Sequence, residues 1–282
     1  MIHLILDSTS GVGADFLALH PNVHCISLTI EMGENYVPES EATIKAVIDY
    51  SEATKKSVPT SQPSTGDFLK MFSDIPAEDP IIVLCICSTI SGTYNGALLA
   101  ARQSGRKNIT VINTRTTAIG MIHLLEDGLD MIEKGLSYEE IAKALEEASM
   151  RTGLTVALDT IDYLKRGGRI GKAAGLIGSI LKIKPVIYLN ENNEVDALGK
   201  VRTTKKANAL MIDYLKKQEP LKRLGIVHIE NEAGAKMLYD KAKAMYPDMD
   251  ITLTTATPVL TAYLGPGLTG FIFERANKWG RE

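Results

Sequence analysis

Three cysteines, Cys25, Cys85 and Cys87, are too few and too unevenly spaced for a disulfide framework in a chain of 282 residues. They stand in strand-like settings, "HCISLTI" and "IIVLCIC", and C-x-C is not the C-x-x-C of redox or zinc sites. Buried, reduced thiols in a cytosolic protein are predicted. Positive charge is not in excess. Lys and Arg number 31 against 34 Asp and Glu, a net charge of -3, which excludes a general nucleic-acid binder with a basic face. "MIHLILDSTS" enters a strand pattern with no basic region or cleavage site, so no secretory signal is expected and the predicted location is cytoplasmic. The stretch Ile251 to Phe273 has no charge and is long enough to span a bilayer. Its six Thr, three Gly and two Pro instead fit two short strands around a loop.

Familiar catalytic patterns are also missing. "GVGADF" follows a strand but carries Phe16 where a dinucleotide loop needs its third glycine, and no Walker-A loop occurs. "TISGT" lacks the leading glycine of a nucleophile elbow, so Ser91 has no motif-level claim to attack a substrate. The histidines, His3, His20, His24, His123 and His228, show no metal-ligand spacing. The pairs Glu139–Glu140 and Glu146–Glu147 read as solvated helix faces. No cofactor or metal is predicted.

What the chain does hold is an ordinary globular mixture, 45% apolar and 23% charged. "IHLIL" is a strand running into the turn "DSTSGVG"; "HCISLTI" is a second strand. "PIIVLCIC" is apolar without alternation, as befits a central parallel strand covered on both faces. "ISGTYNGALLAARQSG" then reads as loop into helix, and "NITVIN" as the next strand. Ser64 or Thr65 caps one predicted helix, and Ser137 with Glu140 has capping-box spacing for another. Alternating strands and helices imply a mostly parallel sheet with right-handed crossovers. Beyond about Arg151 the pattern changes. "KAAGLIGSILKIKP" reads as an apolar helix stopped before Pro185, and "VIYLNENNEVDALGKVR" as a hairpin around an Asn-rich turn. The fold class predicted is therefore α/β with two domains. A three-layer N-terminal domain with a mostly parallel sheet spans 1–153, and a C-terminal α/β domain with a mixed sheet spans 154–282.

Four stretches rich in polar residues or glycine remain: "DSTS", "TSQPS" within "VPTSQPS", "TISGTY" and "GPG". Loops at the carboxyl ends of parallel strands gather at one sheet edge, where ligands usually bind. Hydroxyls and backbone N–H groups converging there form an uncharged cradle for an anion. Each stretch alone is better read as turn and cap chemistry; it is the four together that bring a binding site level with that reading.

In order and spacing the chain resembles the DegV family of bacterial fatty-acid-binding proteins, which includes the lipid-carrying subunit of fatty acid kinase. The resemblance rests on "DSTS" (7–10), "TSQPS" (60–64), "TISGTYNGA" (89–97), "YLKRGGRIG" (163–171), "ILKIKPV" (180–186), "KVRTTKKA" (200–207) and "GPG" (265–267). It implies an acyl chain buried between two α/β domains, with the carboxylate held by Thr60 and Ser91. Ser61 and Gly92 stand beside them, and Arg169 of G-G-R-I is placed near the head group. The family usually has histidine two places before G-P-G, where this chain has Tyr263. Tyrosine keeps a donor on a ring but does not titrate near neutrality.

The implied activity is that of a carrier, not an enzyme. It would bind a long-chain fatty acid and present the carboxyl group to a separate ATP-dependent kinase, touching membranes at most transiently. Arg202 in "KVRTTKKA" matches a stretch implicated in docking that kinase, beside Lys205 and Lys206; a solvated helix start is the plainer reading. Met121, Leu124, Leu176, Ile177 and Ile180 are candidates for the wall of the acyl channel, or simply for the protein core. Burying about fifteen methylenes at about 0.8 kcal/mol each offers roughly 12 kcal/mol, ample for micromolar binding after the costs of association. The alternatives are a hydrolase or transferase using Ser91 or Thr60, which would need a nearby base, and a structural or regulatory protein with an incidental lipid.

Overall fold

A computed structural model describes residues 1–176 and 183–277. In chain order the first part contains β1 (His3–Asp7), α1 (Ala14–Leu19), β2 (Val23–Ile26), β3 (Thr29–Met32), β4 (Asn35–Pro38), α2 (Ile44–Thr54) and β5 (Thr60–Ser61). It continues with α3 (Thr65–Asp74), β6 (Ile81–Cys85), α4 (Thr93–Gln103), β7 (Ile109–Asn113), α5 (Ile119–Glu133) and α6 (Tyr138–Ser149). The second part holds β8 (Thr152–Ala157), α7 (Asp162–Arg166), β9 (Lys184–Leu189), β10 (Val195–Val201), α8 (Thr204–Lys216) and β11 (Leu221–His228). It ends with α9 (Glu232–Met245), β12 (Ile251–Thr255), α10 (Pro258–Leu264) and β13 (Thr269–Arg275).

The first sheet has the order β2-β1-β6-β7 and is parallel throughout. Its two central strands are buried on both faces because successive side chains point opposite ways. Leu4, Leu6, Ile82 and Leu84 meet α5 and α6, whereas Ile5, Ile81, Val83 and Cys85 meet Phe68, Phe72, Ala97 and Ala100 of α3 and α4. This is the three-layer arrangement expected from the alternating pattern. All three cysteines are free, and burial pushes the Cys25 thiol up to about 12.

The second sheet is mixed, in the order β10-β9-β8-β13-β11-β12, with only β11 and β12 parallel. Its outer face packs Phe271, Phe273, Leu224 and Ile226 under α8 and α9. Its inner face, including Leu154, Val156, Ile187 and Ile272, joins the same apolar cluster as the first sheet and α5. The β9–β10 hairpin forms as expected. The Asn190 side chain accepts from the N–H groups of Asn192 and Glu194, and Asn193 takes a left-handed conformation at φ 61°.

Three expectations are corrected. "HCISLTI" is not one strand: β2 joins the parallel sheet, while β3 pairs with β4 and β5 in a small antiparallel sheet. The Thr-rich segment before β13 is not strand, loop and strand, because α10 lies between, with Pro258 at its start where a missing N–H costs nothing. The expected helix before Pro185 opens instead as a 3₁₀ turn over Gly171–Leu176; its 177–182 portion lies outside the described residues, and Pro185 itself sits second in β9.

Candidate functional site

A cavity of about 330 Å³ opens where the carboxyl edge of the parallel sheet faces the inner surface of the mixed sheet. Its walls are mostly apolar: Leu154 and Val156 from β8, Ile187 and Leu189 from β9, Val227 from β11 and Ile272 from β13. Helix α10 supplies Val259, Leu260, Tyr263 and Leu264. The volume lies at the lower end of the range for small-molecule sites, and an apolar wall with few polar groups is typical of them.

The polar groups at this end sit on a short strand, two loops and one helix. Thr60 and Ser61 form β5 and pair with Ile30 and Thr29, so the small sheet holds their hydroxyls against the cavity. Four residues on, Ser64 caps α3 in a reciprocal box with Asp67. The segment "VPTSQPS" therefore serves two purposes: its middle, Thr60 to Gln62, faces the cavity and its last residue caps a helix. Ser91 follows β6, and its Oγ accepts from the Thr93 N–H at 3.3 Å and lies 2.9 Å from the Thr93 hydroxyl. Gly92 is the N-cap of α4 and has no side chain to satisfy the helix's first N–H groups. A Cβ on Gly92 would meet Gln62 Oε1 at 1.9 Å; the absence of one lets the Gln62 amide lie across the start of α4 and pack one segment against the other.

Tyr263 completes this end. Its phenol is 2.8 Å from the Thr60 hydroxyl, and the Arg169 guanidinium stacks over its ring at 4.8 Å. Arg169 is held by the carbonyl of Gly167, to which Nη1 donates at 2.8 Å. Gly167 packs flat against the Tyr263 ring, where a Cβ would approach to 2.4 Å. The G-G of "KRGGRIG" thus seats the arginine upon the tyrosine.

Thr60, Ser61, Ser91, Gly92, Arg169 and Tyr263 all line this one cavity, together with Gln62, which sequence reasoning had not singled out. Arg202 does not: it is exposed between β10 and α8. "DSTS" and "GPG" do not reach the cavity wall either. Asp7 is a structural carboxylate, accepting from the N–H groups of Ile86 at 2.6 Å and Thr9 at 3.1 Å, and burial pushes its pKa up to about 6. Met121 and Leu124 are packed solid beneath the parallel sheet and are core residues. Ile177 and Ile180 lie outside the described residues, as does the side chain of Leu176.

Two further features carried no sequence signal. Glu39, 4% exposed, accepts from the Ser8 hydroxyl and from the Val259 N–H at 2.7 Å. Thr117 lines the cavity, and its buried hydroxyl has no partner among the described residues. Among those residues there is also no cluster of His, Cys, Asp and Glu able to hold a metal, and no helix long and apolar enough to cross a membrane.

Residues 1–276 match the family described as uncharacterised proteins of DegV type. The chain belongs to the DegV family. A fatty acid-binding protein of Thermotoga maritima is similar to it, 31% identical over 285 residues that cover 97% of each chain. Among solved structures, a DegV family protein of Eubacterium eligens loaded with heptadecanoic acid superposes with a TM-score of 0.85 at 26% identity, covering 98% of this chain and 100% of that one. The Fatty Acid Kinase (Fak) B3 protein of Streptococcus pneumoniae, loaded with linoleic acid, has a TM-score of 0.83 at 24% identity, covering 97% and 99%. That last likeness concerns the fold.

Proposed function

We propose that this DegV protein binds one long-chain fatty acid in the cavity, with the carboxylate at the Thr60–Ser91 end and the chain between the two sheets. The observation that carries the reading is the convergence of Thr60, Ser61, Ser91, Arg169 and Tyr263 on one end of a cavity walled elsewhere mostly by aliphatic side chains. A buried carboxylate remains ionised only where donors replace its water. The hydroxyls and the Arg169 guanidinium are such donors. The methylenes supply most of the binding free energy and the head-group donors select acids over other lipids. The Thermotoga relative is a fatty acid-binding protein by name, and the Eubacterium relative is loaded with heptadecanoic acid.

The finer reading is that the protein hands its carboxyl group to a separate ATP-dependent kinase in the cytoplasm, with Arg202 contacting that partner. Reversal of Arg202 to Glu is expected to slow acyl-phosphate formation and leave lipid binding unchanged. A Ser91-dependent hydrolase is disfavoured: the described cavity wall has no histidine, carboxylate, cysteine or lysine to act as base. Native mass spectrometry of wild type and the Thr60→Ala, Ser91→Ala double variant tests the proposal. Wild type should carry a fatty acid and the variant much less. Equal loading of both would refute the head-group assignment.

A further inference from the structure

Helix α10 has only seven residues, too few to hold a helical shape by itself, and it forms one wall of the cavity through Val259, Leu260, Tyr263 and Leu264. Something outside the helix must fix its position. At its carboxyl end Tyr263 meets Thr60. At its amino end the N-cap residue Thr257 makes no capping bond to the helix, and Pro258 has no N–H to offer. The first available N–H, that of Val259, donates to Glu39, which lies 220 residues earlier in the chain just after β4. The other Glu39 oxygen accepts from Ser8, in the turn after β1.

We propose that Glu39 is the positioning residue of the acid-binding wall: one buried carboxylate spans the Ser8 turn and the start of α10, and so sets where Leu260 and Tyr263 stand. The inference rests on the fatty-acid reading above. A carboxylate at a helix N-terminus is favoured by the exposed N–H groups and the helix dipole. Among the described residues no Lys or Arg forms an ion pair with Glu39, so these hydrogen bonds are its compensation for lost water. Burial raises its pKa, and its like charge helps raise that of buried Asp7. Burying a carboxylate in such company is an expensive way to join two segments, since an apolar pair would serve for cohesion alone. What an apolar pair cannot do is fix the height and rotation of a short helix, and a hydrogen bond to a single N–H does.

The test measures two quantities on the full chain: release of heptadecanoate to acceptor vesicles, and hydrogen exchange of the Val259–Leu264 amides without ligand. Glu39→Ala should speed release about tenfold and remove protection at Val259 and along α10. Glu39→Gln keeps the volume and one acceptor; about threefold faster release is expected, and this variant decides the matter where the alanine chain does not fold. Phe72→Leu, in the core on the far side of the parallel sheet, controls for lowered stability and should change neither quantity. Unchanged release and unchanged α10 protection in the Glu39 variants would overturn the assignment. Failure of wild type to retain any fatty acid would overturn the parent reading instead, leaving the exchange arm to judge Glu39.

Discussion

The Thr60 hydroxyl and the Tyr263 phenol, 203 residues apart in sequence, lie 2.8 Å from each other at the polar end of the cavity. The bond joins the small antiparallel sheet to α10, and both groups can turn their protons toward an entering carboxylate. Tyr263→Phe keeps the ring beneath Arg169 and removes only the phenol. A hydrogen bond to a charged acceptor is worth about 1.5–3 kcal/mol, so affinity for a long-chain acid should fall at least tenfold by competition titration. Unchanged affinity would mean that Tyr263 seats Arg169 and contributes nothing else.

Gly92→Ala tests whether the two hydroxyl loops act together. The new methyl must displace the Gln62 amide, which is the flexible end of its side chain and also lies over Gly96. The predicted stability cost is therefore modest, about 1 kcal/mol. Lipid retention should fall more sharply, because the segment carrying Thr60 and Ser61 no longer packs against the start of α4. Chemical denaturation alongside extraction of bound lipid separates the two effects.

Thr117→Val replaces an unpaired buried hydroxyl with a methyl of the same shape. Leaving such a group unsatisfied costs about 1–3 kcal/mol. The variant should be more stable by about 1 kcal/mol and should bind a saturated acid at least as tightly. A loss of stability would show that the hydroxyl has a partner in the folded protein.

The pH response should include two opposing contributions, from buried His123 and buried Asp7, alongside that of Glu39, whose pKa burial also raises. His123 is 6% exposed, and burial lowers its pKa from 6.5 to about 4. Between those values the unfolded chain binds more protons, so its contribution is complete above pH 6.5 and is lost as pH falls toward 4, by about 3 kcal/mol. Asp7, raised from 3.8 to about 6, does the reverse: the folded state holds its proton more tightly, so stability on its account falls as pH rises from about 4 to about 6. In wild type the two largely offset one another. His123→Gln removes the first, so the stability gap between wild type and variant should shift by about 3 kcal/mol against wild type from pH 7 to pH 4. A gap independent of pH would contradict the assignment to His123.

The parallel sheet and the loops after its strands were legible in the sequence because the signals are local. "PIIVLCIC" must be buried on both faces, and the hydroxyl-rich turn that follows it, with Ser91 and Gly92, lands at the cavity, although "DSTS" after β1 does not. Helix α10 was hidden by composition, since threonine, proline and glycine nearby read as loop while its position is set by Glu39 and Thr60. Cavity-lining aliphatics were not distinguishable from core ones. Met121 and Leu154 have the same chemistry, and only the packing of α5 against the sheets makes the first solid core and leaves the second facing space. Glu39 gave no warning either, as a glutamate beside two other polar residues reads as surface until its partner 220 residues away is known.

The most direct test of the account is a crystal structure of the protein with a saturated long-chain acid. The carboxylate is predicted within hydrogen-bonding distance of Thr60 and Ser91, near Arg169 and Tyr263, with the chain passing Leu154, Val156 and Ile187. A carboxylate lying at the aliphatic end, or an acid bound anywhere outside this cavity, would contradict it.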